Sequence, residues 1–305
     1  MVKIDVFAHV LLPQFKEWML QLDKQLPKKL PFIQHIHLTD MKTRQMYHVE
    51  GTKQIISYVN TNPEDYLGEN EAAIFVRKAN QELIETVQQY PSMFAGGVAM
   101  LPLNNISESL KIIEDTVLAN TEILGIQLFT RHLGKSIASK EFYAIFRACA
   151  ESNVPIWLHP IFDVRKPDNN ILFSWEYEQT QAMLQIVQAG IYQDFPNLKI
   201  IVHHAGAMVP YFAGRIEHIL PKTQVADFKK FYVDTALLGN TKALELAVDY
   251  FGIDRVLFGT DAPLGISPAG ATREIIHAIE EMALTEIEKQ AIFEKNAQKI
   301  LLLNE

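Results

Sequence analysis

Four side chains able to bind a metal ion or to move a proton stand at the ends of short apolar segments. They are His9, His159, His204 and Asp261. Imidazole and carboxylate groups are suitable ligands for a divalent first-row metal, and three of them leave an open coordination position for water or a substrate. A further imidazole outside the metal shell can shuttle a proton near neutral pH. The four residues therefore indicate metal-assisted acid–base chemistry.

The segments that end in these residues belong to a regular alternation of strand and helix. Apolar runs predict eight strands, at residues 4–9, 54–59, 94–101, 124–129, 155–159, 199–203, 231–235 and 256–259. Helical patterns occupy residues 71–89, 106–119, 140–151, 177–192, 209–219, 242–250, 271–281 and 286–303. This alternation is typical of parallel strands joined by crossovers, and eight units favour an α/β fold of the closed (β/α)8 TIM-barrel type. Because the carboxyl ends of barrel strands meet at one rim, we expect the four residues to converge there.

A single domain is expected to span residues 1–305, because no repeat, linker or low-complexity tract interrupts the pattern. Two stretches are longer than a minimal barrel needs. Residues 11–44 form an excursion after the first strand, and residues 161–175 form a polar loop after the fifth. Both leave from the rim at the carboxyl ends of the strands, so we expect both to lie over the barrel mouth.

Composition disfavours several classes of function. A net charge of −8 and a pI near 5.7 do not suggest the basic surface that a nucleic-acid partner requires. No apolar run approaches the ~18 residues that cross a bilayer, and Asp5 interrupts the apolar N-terminal run. The single cysteine, Cys149, cannot form an internal disulfide. We therefore expect a cytoplasmic protein with no nucleic-acid or membrane partner.

Five motifs, in order along the chain, resemble those of the amidohydrolase superfamily. They are residues 4–9 (IDVFAH), 159–160 (HP), 199–206 (KIIVHHAG), 214–216 (GRI) and 259–265 (GTDAPLG). Each motif is weak alone, but the set in this order covers nearly the whole chain. The branch it resembles most is that of aminocarboxymuconate-semialdehyde decarboxylase and the related aromatic-acid decarboxylases.

The resemblance implies a role for each matching residue. It implies that His9, His159 and Asp261 are ligands of a divalent metal, usually zinc, and that His204 is the nearby acid–base or polarising histidine. Arg215 matches an arginine that binds a substrate carboxylate in such decarboxylases, sometimes across a dimer interface. The implied partners are a small carboxylate substrate and a second copy of the chain in a homodimer.

Other groups near the predicted rim could meet an anionic substrate. Arg131 follows the fourth strand, whereas Arg165 and Trp175 lie in the loop after the fifth. Each arginine could equally be a solvated rim charge, and Trp175 could simply pack the loop onto the barrel.

Two pairs of histidines lie close together in the sequence, and a position in the fold is predicted for each pair. His203 directly precedes His204, so strand alternation predicts that the two side chains face opposite sides and that only one enters the mouth. The match to the family motif favours His204, which leaves His203 packed behind the strand. His35 and His37 lie in the excursion, where a solvated or lid position is expected. One of them could replace a missing ligand if the excursion folded over the mouth.

The first strand departs from the family pattern, because its usual His-x-His is here Phe7-Ala8-His9. Strand alternation places Asp5, Phe7 and His9 on one face, so an aromatic ring occupies a ligand position. Three ligands would remain, which zinc tolerates when water takes the fourth position. Weaker metal binding is therefore expected.

Three functions are compatible with these residues. The first is metal-assisted, non-oxidative decarboxylation of a small aromatic or unsaturated carboxylic acid, with Asp261 or His204 as proton donor. The second is hydrolysis of a lactone or amide by a metal-bound or Asp/His-activated water. The third is a non-catalytic barrel that lost its metal through Phe7, which the intact His159, His204 and Asp261 disfavour.

Overall fold

The computed structural model describes residues 2–161 and 171–303, and its central feature is a parallel sheet. Seven strands form it in the order β1-β2-β3-β4-β7-β8-β9. They are β1 (Lys3–Val10), β2 (Thr52–Tyr58), β3 (Phe94–Ala99), β4 (Ile123–Phe129), β7 (Ile156–His159), β8 (Ile200–Val202) and β9 (Tyr232–Val233), while β5 (Arg131–His132) and β6 (Lys135–Ser136) form a separate hairpin. The seven strands coincide with the first seven predicted from the sequence.

The eighth predicted strand is instead an irregular closing segment, residues 256–262. On one side Leu257 N donates to Val233 O at 2.8 Å, and on the other Asp261 N donates to Phe7 O at 2.8 Å. The backbone leaves the extended conformation at Asp261, where φ is +62°. The closing segment nevertheless joins the two edges of the sheet, and the predicted TIM barrel is confirmed.

Helices link the strands and lie outside the sheet. They are α1 (Pro13–Leu22), α2 (Leu26–Lys29), α3 (Met41–Met46), α4 (Glu69–Gln89), α5 (Ile106–Ile112), α6 (Tyr143–Glu151), α7 (Ser174–Gln188), α8 (Ile191–Asp194), α9 (Ala213–Ile219), α10 (Lys222–Phe228), α11 (Thr241–Phe251), α12 (Thr272–Glu280), α13 (Glu286–Gln290) and α14 (Asn296–Leu301). A π-helical turn extends α5, and another connects α13 to α14. No helix within the described ranges has the length and apolar character to span a bilayer.

The barrel interior is divided along its axis into an apolar half and a polar half. Buried apolar side chains from the early parts of the strands, including Val6, Trp157 and Leu257, pack against α14. Trp157 Nε1 donates to Val6 O at 2.7 Å, which ties β7 to β1 across this half. The polar residues lie further along each strand, in the carboxyl-terminal half of the barrel.

The excursion after β1 is folded and contains α1 to α3. Arg44 in α3 is only 4% exposed, and its guanidinium donates to His9 O at 2.5 Å and to Gln54 Oε1 at 2.8 Å. A longer contact of 3.4 Å reaches Ala262 O. One cation therefore connects the excursion to β1, β2 and the closing segment.

Candidate active site

Three of the predicted residues meet at the carboxyl-terminal rim of the barrel. His9 lies in β1, His159 ends β7, and Asp261 lies in the closing segment. His9 Nε2 is 3.2 Å from His159 Nε2 and 3.2 Å from Asp261 Oδ1. Both imidazoles are buried, whereas the Asp261 side chain is 20% exposed. The carboxylate is thus the member of this group that faces the mouth.

Neighbouring groups decide which imidazole nitrogen faces the cluster. His159 Nδ1 lies 2.6 Å from Pro160 O, so this nitrogen carries the proton and Nε2 presents a lone pair. His9 Nδ1 lies 3.3 Å from Ser57 Oγ, which likewise leaves its Nε2 for the cluster. Burial lowers the pKa of His159 well below its usual range and keeps the ring neutral. A neutral imidazole anchored at Nδ1 and open at Nε2 is the form that binds a metal.

Phe7 lies at the centre of the histidine cluster. Its ring centroid is 4.7 Å from that of His9, 5.7 Å from that of His159 and 5.9 Å from that of His204. The side chain is 1% exposed. An apolar ring therefore occupies the side of β1 that also holds His9.

His203 also lies inside this cluster, so the prediction that it packs behind the strand was wrong. Its ring stacks on Phe7 with a centroid distance of 3.5 Å and an interplanar angle of 15°. Its Nδ1 lies 2.7 Å from Asp234 Oδ2. The strand β8 already ends at Val202, and His204 has a φ of +56°. Strand alternation does not apply across such a turn, so His203 and His204 can both face the cluster.

His204 is paired with a carboxylate from α7. Its Nδ1 lies 2.6 Å from Glu176 Oε1. Burial disfavours a charge on the ring, but the attraction of Glu176 outweighs this cost. The carboxylates of Asp261 and Asp234 add to this attraction, and the pKa of His204 is raised to about 10. His204 therefore places a positive charge and a transferable proton near Asp261.

The first turn of α7 contributes further walls of the site. The Trp175 ring meets the His159 ring edge to face at 5.7 Å. Glu178 accepts a hydrogen bond from Arg131 Nε at 2.8 Å. Thr130, the residue before Arg131, donates its backbone N–H to His159 O at 2.9 Å. The structure thus places Trp175 against the histidine cluster and joins Arg131 to α7.

One of the remaining predicted arginines, Arg215, lies away from the cluster. Arg215 is exposed on α9 and lines an apolar groove of about 350 Å³ together with Tyr177 and Met208. In the part of the chain that the structure describes, no hydrogen bond or ion pair joins Arg215 to the cluster. Arg165 lies outside the described residues, together with most of the loop at 161–175.

The histidines of the excursion lie apart from the cluster. His37 Nδ1 is 2.8 Å from Pro268 O, and the His37 ring contacts the rings of His35 and Tyr47. Within residues 2–161 and 171–303, neither of these rings contacts the ring of His9. The excursion therefore brings no replacement ligand to the cluster.

The donor atoms suit a divalent metal by type, and the two pairs that share His9 Nε2 also suit it by spacing. Ligands that each lie about 2 Å from one ion lie about 3 Å from each other, as the two pairs sharing His9 Nε2 do. The buried Nε2 of His203 has no hydrogen-bond partner among the described residues. The donors do not surround one common metal position. Across the described ranges, no group of three or more His, Cys, Asp or Glu side chains is arranged to hold a metal ion.

The sequence analysis missed two carboxylates of the site. Asp234 follows the seventh apolar run just as His159 ends the fifth, so the strand-end pattern could have identified it. The sequence around Glu176 contains no comparable strand-end pattern. Its contact with His204 depends on how α7 packs against the turn after β8, and sequence spacing does not encode that packing.

With this rim of histidines and carboxylates on a TIM barrel, the chain belongs to the amidohydrolase family, whose model matches residues 30–303. The resemblance inferred from the motifs is thereby confirmed.

Several relatives that match this chain are named as decarboxylases, and one is named as 2-keto-4-carboxy-3-hexenedioate hydratase. The chain is 25% identical to 6-methylsalicylic acid decarboxylase of Penicillium expansum, over 96% of this chain and 94% of the relative. It is 24% identical to 2-amino-3-carboxymuconate-6-semialdehyde decarboxylase of Dictyostelium discoideum, over 87% and 77% of the two chains. The structure of dihydroxybenzoic acid decarboxylase from Polaromonas, with bound manganese and the inhibitor 2-nitroresorcinol, superposes with a TM-score of 0.80 and 22% identity over 100% and 98% of the chains.

Proposed function

We propose that this protein is a metal-assisted, non-oxidative decarboxylase of a small aromatic or unsaturated carboxylic acid. The observation that carries the proposal is the meeting of His9, His159 and Asp261 at the barrel rim, with His9 Nε2 3.2 Å from each partner. Relatives that match along most of the chain are named for decarboxylation of such acids, which supports this substrate class.

The reaction breaks the bond between the carboxylate carbon and its neighbour. Carbon dioxide leaves, the electron pair stays on the neighbouring carbon, and that carbon accepts one proton. Asp261 and His204 are the groups placed to deliver the proton, because Asp261 faces the mouth and His204 is held in its charged form by Glu176. The charge on His204 also attracts the anionic substrate.

His9, His159 and Asp261 are the residues that would hold the metal. When bound, a divalent ion supplies a positive charge that orients the substrate oxygens and stabilises the electron pair left on carbon. Manganese in the Polaromonas enzyme supports a divalent metal, and imidazole with carboxylate donors also suits zinc. Element analysis of the purified protein distinguishes the two metals.

We propose Arg131 and Trp175 as substrate-binding groups. Arg131 has a guanidinium group of the kind that binds carboxylates, as its bond to Glu178 shows, and Trp175 lies against His159. We keep Arg165 and Arg215 as further candidates for the carboxylate. Arg215 would act at an interface between two copies of the chain in a homodimer.

A substrate panel tests the proposal directly. The purified protein is incubated with 6-methylsalicylate, 2,6-dihydroxybenzoate and simple lactones and anilides, while carbon dioxide and the organic product are both quantified. We expect carbon dioxide in equal amount to the decarboxylated product. Release of an acid from a lactone or amide without carbon dioxide would instead establish the hydrolase.

The Asp261→Asn variant links the turnover to this site. We expect it to lower turnover by about 1000-fold, since a positioned acid–base group contributes on this scale. Asp249→Asn, an exposed carboxylate on α11, is the matched control and should retain full turnover. Equal turnover of both variants would contradict the assigned site.

A further inference from the structure

Asn60 is a buried polar residue at the barrel rim that has no part in the proposed reaction as described so far. It follows β2, is 7% exposed, and its Nδ2 donates to Pro160 O at 2.9 Å. Pro160 follows β7, and the strands β3 and β4 lie between β7 and β2 in the sheet. The Asn60 side chain therefore joins two parts of the rim that are not neighbours in the sheet.

A tight turn carries Asn60. Thr61 N donates to Val59 O at 2.6 Å and Thr61 Oγ1 donates to the same oxygen at 3.2 Å, which makes Asn60 the middle residue of a three-residue turn. Val59 N in turn donates to Val10 O at 3.1 Å, and Val10 is next to His9 in β1. The turn that carries Asn60 is thus attached to the strand that supplies His9.

The oxygen that accepts from Asn60 also accepts from a proposed metal ligand. His159 Nδ1 lies 2.6 Å from Pro160 O, so two side chains donate to this oxygen. A carbonyl oxygen has two lone pairs, and each donor takes one of them. Pro160 has no N–H through which it could itself be held. The bond from Asn60 is therefore a restraint on the direction of the Pro160 carbonyl group.

The direction of this carbonyl group decides which way the His159 ring faces. Turning the ring over about its Cβ–Cγ bond exchanges Nδ1 with Cδ2 and Nε2 with Cε1, which would remove the Nε2 lone pair from the neighbourhood of His9. The rings of Phe7 and Phe129 lie with their centroids 5.7 Å from that of His159, but an apolar ring does not distinguish nitrogen from carbon. The hydrogen bond to Pro160 O is the contact that selects the observed orientation.

We propose that Asn60 is a positioning residue for His159, which it holds in the metal-binding orientation through the carbonyl oxygen of Pro160. The inference rests on the proposed function, because His159 is one of the residues that would hold the metal there. Since the turn of Asn60 is attached to β1, the same bond fixes His159 relative to His9, whose Nε2 lies 3.2 Å from His159 Nε2. The orientation of a ligating histidine is usually fixed by a hydrogen bond at its other ring nitrogen, and Asn60 supports that bond from the next residue outward.

The metal-free wild-type protein provides the first test. Proton–nitrogen NMR of isotopically labelled protein shows which nitrogen of His159 carries the proton, and how fast this proton and the side-chain amide protons of Asn60 exchange with water. We expect the His159 proton on Nδ1 and one slowly exchanging amide proton on Asn60. A His159 proton on Nε2, or fast exchange of both Asn60 amide protons, would overturn the proposal without any variant being made.

Asn60→Leu removes the donor and nearly preserves the side-chain volume. We expect about 10-fold faster exchange of the His159 Nδ1 proton, because a hydrogen bond that restrains its acceptor is lost. We also expect about 10-fold weaker binding of manganese and zinc, at the lower end of the effect of residues that support a ligating histidine. Competition with a chromophoric chelator measures the affinity, and far-UV circular dichroism with thermal melts confirms that the variant is folded.

Asn104→Leu is the matched control, because Asn104 Nδ2 also donates to a backbone oxygen, that of Leu67 at 3.1 Å. It should leave the His159 proton and the metal affinity as they are in the wild type. Wild-type exchange or wild-type metal affinity in a folded Asn60→Leu protein would overturn the proposal and would assign the orientation of His159 to ring packing.

These measurements are independent of turnover. Failure to release carbon dioxide from the substrate panel would contradict the proposed decarboxylation and would leave the role of Asn60 to its own test. Absence of metal binding by the wild type would contradict the proposed metal. The exchange of the His159 proton, recorded without metal, would then still decide whether Asn60 orients the ring.

Discussion

At the scale of single residues, the pairing of His204 with Glu176 decides the charge of the site. Burial works against a charged imidazole, and the 2.6 Å contact with Glu176 is the largest effect that opposes it. The pKa of His204 rises from its usual 6.5 to about 10 in the folded protein. Its stabilising contribution is therefore complete below pH 6.5 and is lost as the pH rises through 10.

Glu176→Gln should remove most of this effect. We expect the pKa of His204 to fall, turnover to drop by about 100-fold, and the loss of thermal stability between pH 7 and 10 to become shallower than in the wild type. Proton NMR titration of the imidazole, together with melts across this pH range, measures the change. Glu281→Gln, which removes the partner of the exposed His277, is the control and should leave turnover unchanged. An unaltered His204 titration in Glu176→Gln would refute the pairing.

At the scale of elements, the closing segment determines whether the rim residues meet. It supplies Asp261 to the site and seals the sheet between β9 and β1. Asp5, buried in β1, accepts hydrogen bonds from Thr260 N at 3.0 Å and from Thr260 Oγ1 at 2.6 Å. The position of Asp261 thus depends on these side-chain contacts together with backbone hydrogen bonds to β1, from Asp261 N to Phe7 O at 2.8 Å and from His9 N to Ala262 O at 2.7 Å.

Gly259→Ala should disturb this contact. The added methyl group would overlap Asp234 Cβ at 2.7 Å, so we expect a loss of about 1 to 3 kcal/mol in the free energy of unfolding and weaker metal binding. Urea denaturation and metal titration measure both effects. Gly214→Ala in α9, where the new Cβ meets nothing within 4 Å, should be neutral or stabilising by up to about 1 kcal/mol. Similar behaviour of the two variants would show that the close approach is unimportant.

At the scale of the whole molecule, an apolar face lies beside the groove that contains Arg215. Phe212 is 38% exposed, Tyr177 is 51% exposed and Ile219 is 65% exposed, and all three line that groove. Clustered apolar exposure of this kind often marks a protein interface. It is the surface on which the proposed homodimer would form.

Ile219→Glu is expected to weaken the homodimer, because it buries a charge in the apolar interface. Light scattering coupled to gel filtration should show a dimer for the wild type and a concentration-dependent shift toward monomer for the variant. Ile287→Glu on α13, 80% exposed and far along the chain, should remain dimeric. A monomeric wild type would contradict both the proposed homodimer and the interfacial role of Arg215.

Much of the fold and part of the site could be predicted from local pattern. Seven strands, the later helices and the convergence of His9, His159 and Asp261 follow from apolar periodicity and from the geometry of parallel strands. The helices α1 to α3 escaped prediction because Lys, Pro and Gln are frequent in the excursion. Their folding depends on contacts such as those of Arg44 with His9 O and Gln54.

The sequence by itself determined the fold, the family and the three rim residues, because each depends on residue types at regular spacing along one chain. Only the tertiary structure decided that His203 faces the site together with His204. His203 points into the cluster because the chain turns at His204 and because Asp234, distant in sequence, accepts from its Nδ1 at 2.7 Å. Local alternation cannot anticipate a turn that is stabilised by a partner on another strand.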